Sequence, residues 1–175
     1  MDCDIAPEPH LCIRSHCMNK YLLLPAFVAS LVFTGCGQKN ETTAAAPAGA
    51  SVIEFTANDS MKFNLTRFEV KAGQEVTISL TNMGNMPKAA MAHNWVLLQK
   101  SADPKAFVDA AVMAAATDYI PAALAGQIIA HTKMLGPKQS EEVKFMAPSE
   151  PGEYPFLCSF PAHFLSGMKG VMVVK

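Results

Sequence analysis

The chain has 175 residues, half of them hydrophobic, which is enough for one domain with a sizeable core. Its 14 basic and 15 acidic side chains leave a formal net charge of -1, excluding any general electrostatic pull on nucleic acid. Four of the five cysteines (Cys3, Cys12, Cys17 and Cys36) lie at the front and only Cys158 in the part that reads as folded, so no disulfide framework is expected there.

Residues 1–17 are acidic, cysteine-bearing and without periodicity, and they do not suit a position in front of a secretory signal. They are read as an extension ahead of a true start at Met18, a mis-annotated gene start. Residues 18–35 have the form of such a signal: Met18-Asn-Lys20 is a short basic segment and residues 21–33 are apolar. Leu31-Val-Phe-Thr-Gly-Cys36 then resembles a bacterial lipobox, with Phe33 where leucine is usual. Cleavage there would leave Cys36 as a lipidated N-terminus, anchoring the protein on the periplasmic, extracytoplasmic face of a bacterial membrane. The apolar run is too short for a good transmembrane helix. Residues 36–50 are small, polar and punctuated by Gly and Pro, and read as a flexible tether.

From Ser51 to Lys175 the pattern is that of one β domain. Residues 52–55, 63–65, 68–70 and 76–81 alternate apolar and polar with the two-residue period of half-buried strands, and residues 71–74 form a turn. Residues 82–88 read as a loop, and residues 95–99 as a strand buried on both faces. The spacing then predicts a helix over 104–116, with Asp103 as N-cap, Pro104 at the first helical position and Pro121 closing the excursion. Strands over 128–132, 141–145, 154–157 and 171–174 complete the set. Seven or eight short strands with frequent turns predict an all-β Greek-key sandwich or barrel carrying one helical insertion.

Between the last two strands, Cys158, His163 and Met168 recur at five-residue intervals on one tight loop containing Pro161, Ala162 and Gly167. Cys158 alone would be read as a small buried hydrophobe. The in-register His and Met change that, as does His93 in Met91-Ala-His-Asn-Trp95, at the mouth of a strand far upstream. Two imidazoles and a thiolate in a trigonal plane, with a weak axial thioether, make an electron-transfer copper site. Ligands drawn from distant parts of a stiff sheet hold their geometry between Cu(I) and Cu(II).

Residues 52–175 resemble the azurins, blue copper proteins of the cupredoxin family, along nearly their whole length. The resemblance rests on Asn85-Met-Pro-Lys88, Met91-Ala-His-Asn-Trp-Val-Leu97, Asp118-Tyr119, Ile129-Ala-His-Thr-Lys133 and Cys158-Ser-Phe-Pro-Ala-His163 with Met168-Lys-Gly170. It implies that His93, Cys158 and His163 are equatorial ligands of one copper ion and Met168 the axial one. Asn94 would tie the two ligand segments together, and the Phe160 backbone N–H would tune the thiolate. Four residues separate His163 from Met168, a spacing that resembles auracyanin, where azurins have three. Ala92 and Ala162 stand where azurins have glycine before each ligand histidine, so the family's weak backbone contact would fall to the Ala92 carbonyl on a more restricted backbone. The azurin disulfide has no counterpart. Asn82 replaces a histidine that titrates in many azurins, which implies a reduction potential nearly independent of pH between 5 and 8.

Other candidates are structural. His131 is expected to be solvated and Trp95 to be core. The methionines are too scattered for copper storage; Met86, Met91 and Met113 are expected to join Phe160, Pro161, Phe164 and Leu165 in an apolar patch around an exposed His163 edge, with Met113 equally fit for the core. Such a site implies single-electron transfer between redox partners such as cytochromes, oxidases or reductases docking near His163. No enzyme activity is expected, since no second metal set is present. The rival is a periplasmic copper carrier or buffer that delivers the metal to another protein.

Overall fold

A computed structural model describes residues 49–175. The extension, the signal, Cys36 and most of the tether lie outside the described residues.

Eight strands form two sheets. β1 (Ser51–Ala57), β3 (Glu75–Asn82) and β6 (Ser140–Met146) make the smaller sheet in the order β1-β3-β6. β2 (Arg67–Val70), β4 (Val96–Leu98), β5 (Ile128–His131), β7 (Gly152–Leu157) and β8 (Lys169–Val174) make the larger one in the order β2-β8-β7-β4-β5. The chain passes between the sheets, so β1 pairs with β3 in parallel and β2 with β8 in parallel, while the other pairs are antiparallel. This is the sandwich expected from the alternating pattern.

The inward side chains of both sheets meet in one core. Val76, Ile78 and Leu80 point inward from β3 and are fully buried. Phe55, Phe63, Phe68, Trp95 and Phe156 form an aromatic cluster, with Phe55 edge-on to Phe156 at 5.2 Å and Trp95 stacked on Phe156 at 5.7 Å. Each such ring contributes about 1.5–3 kcal/mol by burial.

β4 is buried on both faces, as its continuous apolar run predicts, and the second cover is α1 (Pro104–Ala111). Leu97 faces the main core, while Val96 and Leu98 pack with Phe107 of α1 and Leu157 of β7. Asp103 caps α1 by accepting from the Lys105 N–H at 2.8 Å, and Pro104 occupies its first turn. Phe107 and Ala111, one turn apart, are its buried face.

Three expected boundaries shift. The helix stops at Ala111 rather than residue 116, because the next apolar residues, Val112 and Met113, face solvent and add no packing. A separate 3-10 turn, Ala115–Thr117, follows, and Asp118 and Tyr119 then take left-handed backbones at φ 53° and 60°. Pro121 does not close the helical excursion; it starts another 3-10 segment, Ala122–Gln127, as its fixed φ allows. Residues 63–65 form no strand beyond a single bridge of Phe63 to Ala57. The Asn64 side chain takes the place of a ladder, accepting from the Thr56 N–H at 2.8 Å and donating to the Glu54 carbonyl at 3.2 Å.

Candidate metal centre

β7 and β8 are antiparallel neighbours with Leu157 opposite Lys169, so residues 158–168 are the loop that joins them. Cys158 and Met168 stand at its two feet, and the Cys158 N–H donates to the Met168 carbonyl at 3.1 Å. Inside the loop the His163 N–H donates to Phe160 and the His163 carbonyl accepts from Met168 at 3.0 Å. The fourth residue of the gap before Met168 is absorbed by a turn, in which Ser166 and Gly167 donate back to Ala162 and Phe164 and Gly167 takes φ 93°. Ala162 also holds a left-handed backbone, at φ 70°, where a glycine would be unstrained.

His93 precedes β4 and is clamped to Leu135 through both its N–H and its carbonyl, at 3.1 and 2.8 Å. Asn94 then bridges to the loop: its amide donates to Ser159 Oγ at 2.8 Å and accepts from the Ser159 N–H at 2.9 Å, both contacts buried. That is the tie expected of Asn94. Thr132 secures the next residue, exchanging hydrogen bonds with Trp95 at 3.0 Å.

These constraints bring three side chains of two chemical kinds together. One ligand atom each from His93, Cys158 and His163 lies within 4.8 Å of the others, with Cys158 Sγ 3.4 Å from His163 Nδ1 and the two imidazole centroids 4.9 Å apart. His93, Cys158 and Met168 are fully buried and His163 is 1% exposed. Burial sets the electrostatics. It pushes the Cys158 thiol up to about 12, opposed by hydrogen bonds from the backbone N–H groups of Asn94 and Phe160. It pushes His163 down to about 4, with the neighbouring His93 adding to the shift. It lowers His93 as well, opposed chiefly by the Asp59 charge. The imidazoles are therefore neutral and available as ligands, and both ring nitrogens of His93 are buried with no hydrogen-bond partner. A buried polar atom without a partner is costly. A soft cation would satisfy both an imidazole nitrogen and the sulfur, displacing the thiol proton. The residues present fit copper.

Expectation and structure part at His163. Its edge is not exposed: the Phe160 ring lies 4.8 Å away on one side and His93 on the other, with Tyr119 packed edge-on against Phe160 at 5.2 Å. Several of the apolar residues expected around His163 do face solvent. Leu165 and Met113 are 75% and 88% exposed, which removes Met113 from the core, and Met86 is exposed too. A crevice joins Val108, Asp109 and Val112 to Phe160, Pro161, Phe164 and Leu165 of the ligand loop. His131 is exposed and Trp95 is core. Asn82 is buried, its amide donating to Leu135 and accepting from Gly84. Cys158 is the one free cysteine among the described residues.

Two contributors have no sequence signal. The Asn94 backbone N–H faces the sulfur only because β4 and the loop are neighbours. Asp59, with Oδ1 buried and unpartnered and Oδ2 accepting from Asn85 at 2.9 Å, comes near His93 from just beyond the end of β1.

A two-sheet sandwich with Cys and His on one terminal hairpin loop and a second His across the sheet defines a copper-binding electron-transfer domain. The chain belongs to the plastocyanin/azurin family of copper-binding proteins, whose family model matches residues 50–175. It is an azurin-like cupredoxin that binds one copper ion. It is 37% identical to azurin of Achromobacter denitrificans over 136 residues, covering 75% of this chain and 90% of that one. Auracyanin-B of Chloroflexus aurantiacus is 33% identical over 139 residues, covering 74% of this chain and 57% of that one. Among solved structures, dithionite-reduced auracyanin of Roseiflexus castenholzii superposes with a TM-score of 0.64 at 39% identity, covering 73% of this chain and 99% of that one.

Proposed function

We propose that His93, Cys158 and His163 are the equatorial ligands and Met168 the weaker axial ligand of a blue copper site that shuttles single electrons between redox proteins of the cell envelope. The bound ion supplies the one-electron chemistry by alternating between Cu(I) and Cu(II). The observation that carries the assignment is the convergence of three ligand atoms within 4.8 Å in a buried site. The chain's own work is to hold that set still. Leu135 fixes His93, Asn94 joins its segment to the loop, and the β7–β8 pair fixes the two feet of the loop. A site that moves little between oxidation states transfers electrons with little reorganisation.

Partners such as cytochromes, oxidases or reductases would dock on Leu165, Met113 and Val112, near His163. The burial of the ligand set favours the shuttle over a copper carrier, which needs an open site for handing its metal on. Cys36, in its lipobox-like context, would anchor the domain to the extracytoplasmic side of a bacterial membrane. That location is supported by 38% identity over 118 residues to outer membrane protein H.8 of Neisseria meningitidis, covering 66% of this chain and 63% of that one.

The test is the absorption spectrum of the copper-loaded chain beside Cys158→Ser. An intense thiolate-to-Cu(II) band that vanishes in the variant, with reversible voltammetry in the parent, is expected. A band that survives Cys158→Ser refutes the ligand set; rapid loss of copper to a chelator with no such band favours the carrier.

A further inference from the structure

In the four-residue stretch between His163 and Met168, the Ser166 carbonyl is a backbone acceptor that the loop itself leaves free. Ser166 and Gly167 donate to Ala162 and Phe164, and Met168 donates to His163, all at 3.0 Å. The Ser166 carbonyl instead accepts from Nζ of Lys62, 104 positions earlier in the chain. Lys62 is on a firm base: Met61 N–H donates to Asn58, Asn64 N–H donates to Thr56, and Phe63 is buried in the core. Gly167 leaves room for the contact. It has φ 93°, and a Cβ there would lie 2.7 Å from Lys62 Nζ, so the ammonium occupies the space a side chain would fill.

We propose that Lys62 is a positioning residue for the metal centre. Its ammonium pins the Ser166 carbonyl and thereby fixes the turn that carries His163 to Met168. A charge-assisted hydrogen bond is about twice as strong as a neutral one, so this single contact stiffens a turn that lies outside both sheets. The positive charge held against the ligand loop also favours the ion of lower charge, Cu(I), over Cu(II). The proposal rests on the ligand assignment above for its effect on copper, but not for the clamp itself.

Two measurements on the full chain test it, using Lys62→Met, which keeps much of the side-chain length without the charge, and Lys62→Arg, which keeps the charge and a donor. In the metal-free protein, exchange of the Gly167 and Met168 amide hydrogens is expected to be about tenfold faster in Lys62→Met and close to the parent in Lys62→Arg. In the copper-loaded protein, Lys62→Met is expected to lower the reduction potential and alter the Cu(II) EPR signal, with Lys62→Arg restoring both. Unchanged exchange in Lys62→Met overturns the clamp, whatever the potential does. Faster exchange with parental EPR and potential overturns its link to the metal centre. Failure of the ligand assignment would show separately, as an absorption band that survives Cys158→Ser.

Discussion

At the scale of single residues, the ligand loop carries a strain that a smaller side chain would remove. Ala162 is exposed and left-handed, a conformation that costs an L side chain about 1 kcal/mol or more. Ala162→Gly relieves this while adding freedom to the unfolded chain, for an expected net gain of about 0.5–1 kcal/mol. The denaturation midpoint of the metal-free protein should rise; a fall would mean that the bend needs the methyl group. The alanine was visible in the sequence as a departure from the glycine of azurins, but its backbone angle was not, because φ is set by the path between Cys158 and Met168. His163 teaches the same lesson about burial. Its spacing marks it as a candidate ligand, yet nothing local indicates that Phe160 and His93 would enclose its ring.

At the scale of elements, Asn94 joins the entrance of β4 to the loop between β7 and β8. Asn94→Ala would leave the Ser159 hydroxyl and N–H buried without partners, at a cost of about 2–3 kcal/mol. Thermal unfolding should report that loss in the metal-free protein while strand content at 25 °C is unchanged. An unaffected unfolding temperature would mean that water replaces the amide. Strand positions were legible wherever alternation ran for four or more residues, as in β1, β3 and β6. Residues 63–65 misled because a side-chain amide can satisfy the backbone as a strand would. The helix end misled because the favourable composition continues past the last residue that finds anything to pack against.

At the scale of the whole molecule, two properties emerge that no single element holds. The first is the proposed docking face, shared by the ligand loop and the residues that follow α1, where Leu165, Met113 and Val112 are exposed. Leu165→Lys should slow electron transfer with a protein partner by at least about tenfold, the scale of one buried anchor lost from an interface, while leaving the reduction potential in place. Stopped-flow rates set beside voltammetry separate the two effects, and equal rates would place docking elsewhere. The second is the dependence of the metal-free protein on neutral imidazoles. His163 is lowered to about 4, while its unfolded counterpart titrates near 6.5, so the unfolded chain binds more protons between those values. Stability is therefore complete above pH 6.5 and lost as pH falls towards 4, by up to about 3 kcal/mol for this group. Denaturant titrations at several pH values should show the decline, and His163→Gln should flatten it. The reduction potential of the copper-loaded protein, by contrast, is expected to stay nearly level between pH 5 and 8, since Asn82 stands buried and hydrogen-bonded where many azurins titrate.

The sequence by itself determined the β class, the cap of α1, the two-sided burial of β4 and the side chains proposed as metal ligands. Those properties are encoded over a few neighbouring residues: strand alternation, an Asp-Pro start, and a Cys, a His and a Met on one hairpin. Tertiary structure alone decided that His163 is enclosed, that the Asn94 N–H faces the sulfur, that Asp59 approaches His93 and that Lys62 reaches Ser166. Each of these joins side chains through contacts that a short sequence window does not record. Their distances depend on how two sheets stack and where loops cross, a sum over many weak interactions spread along the whole chain.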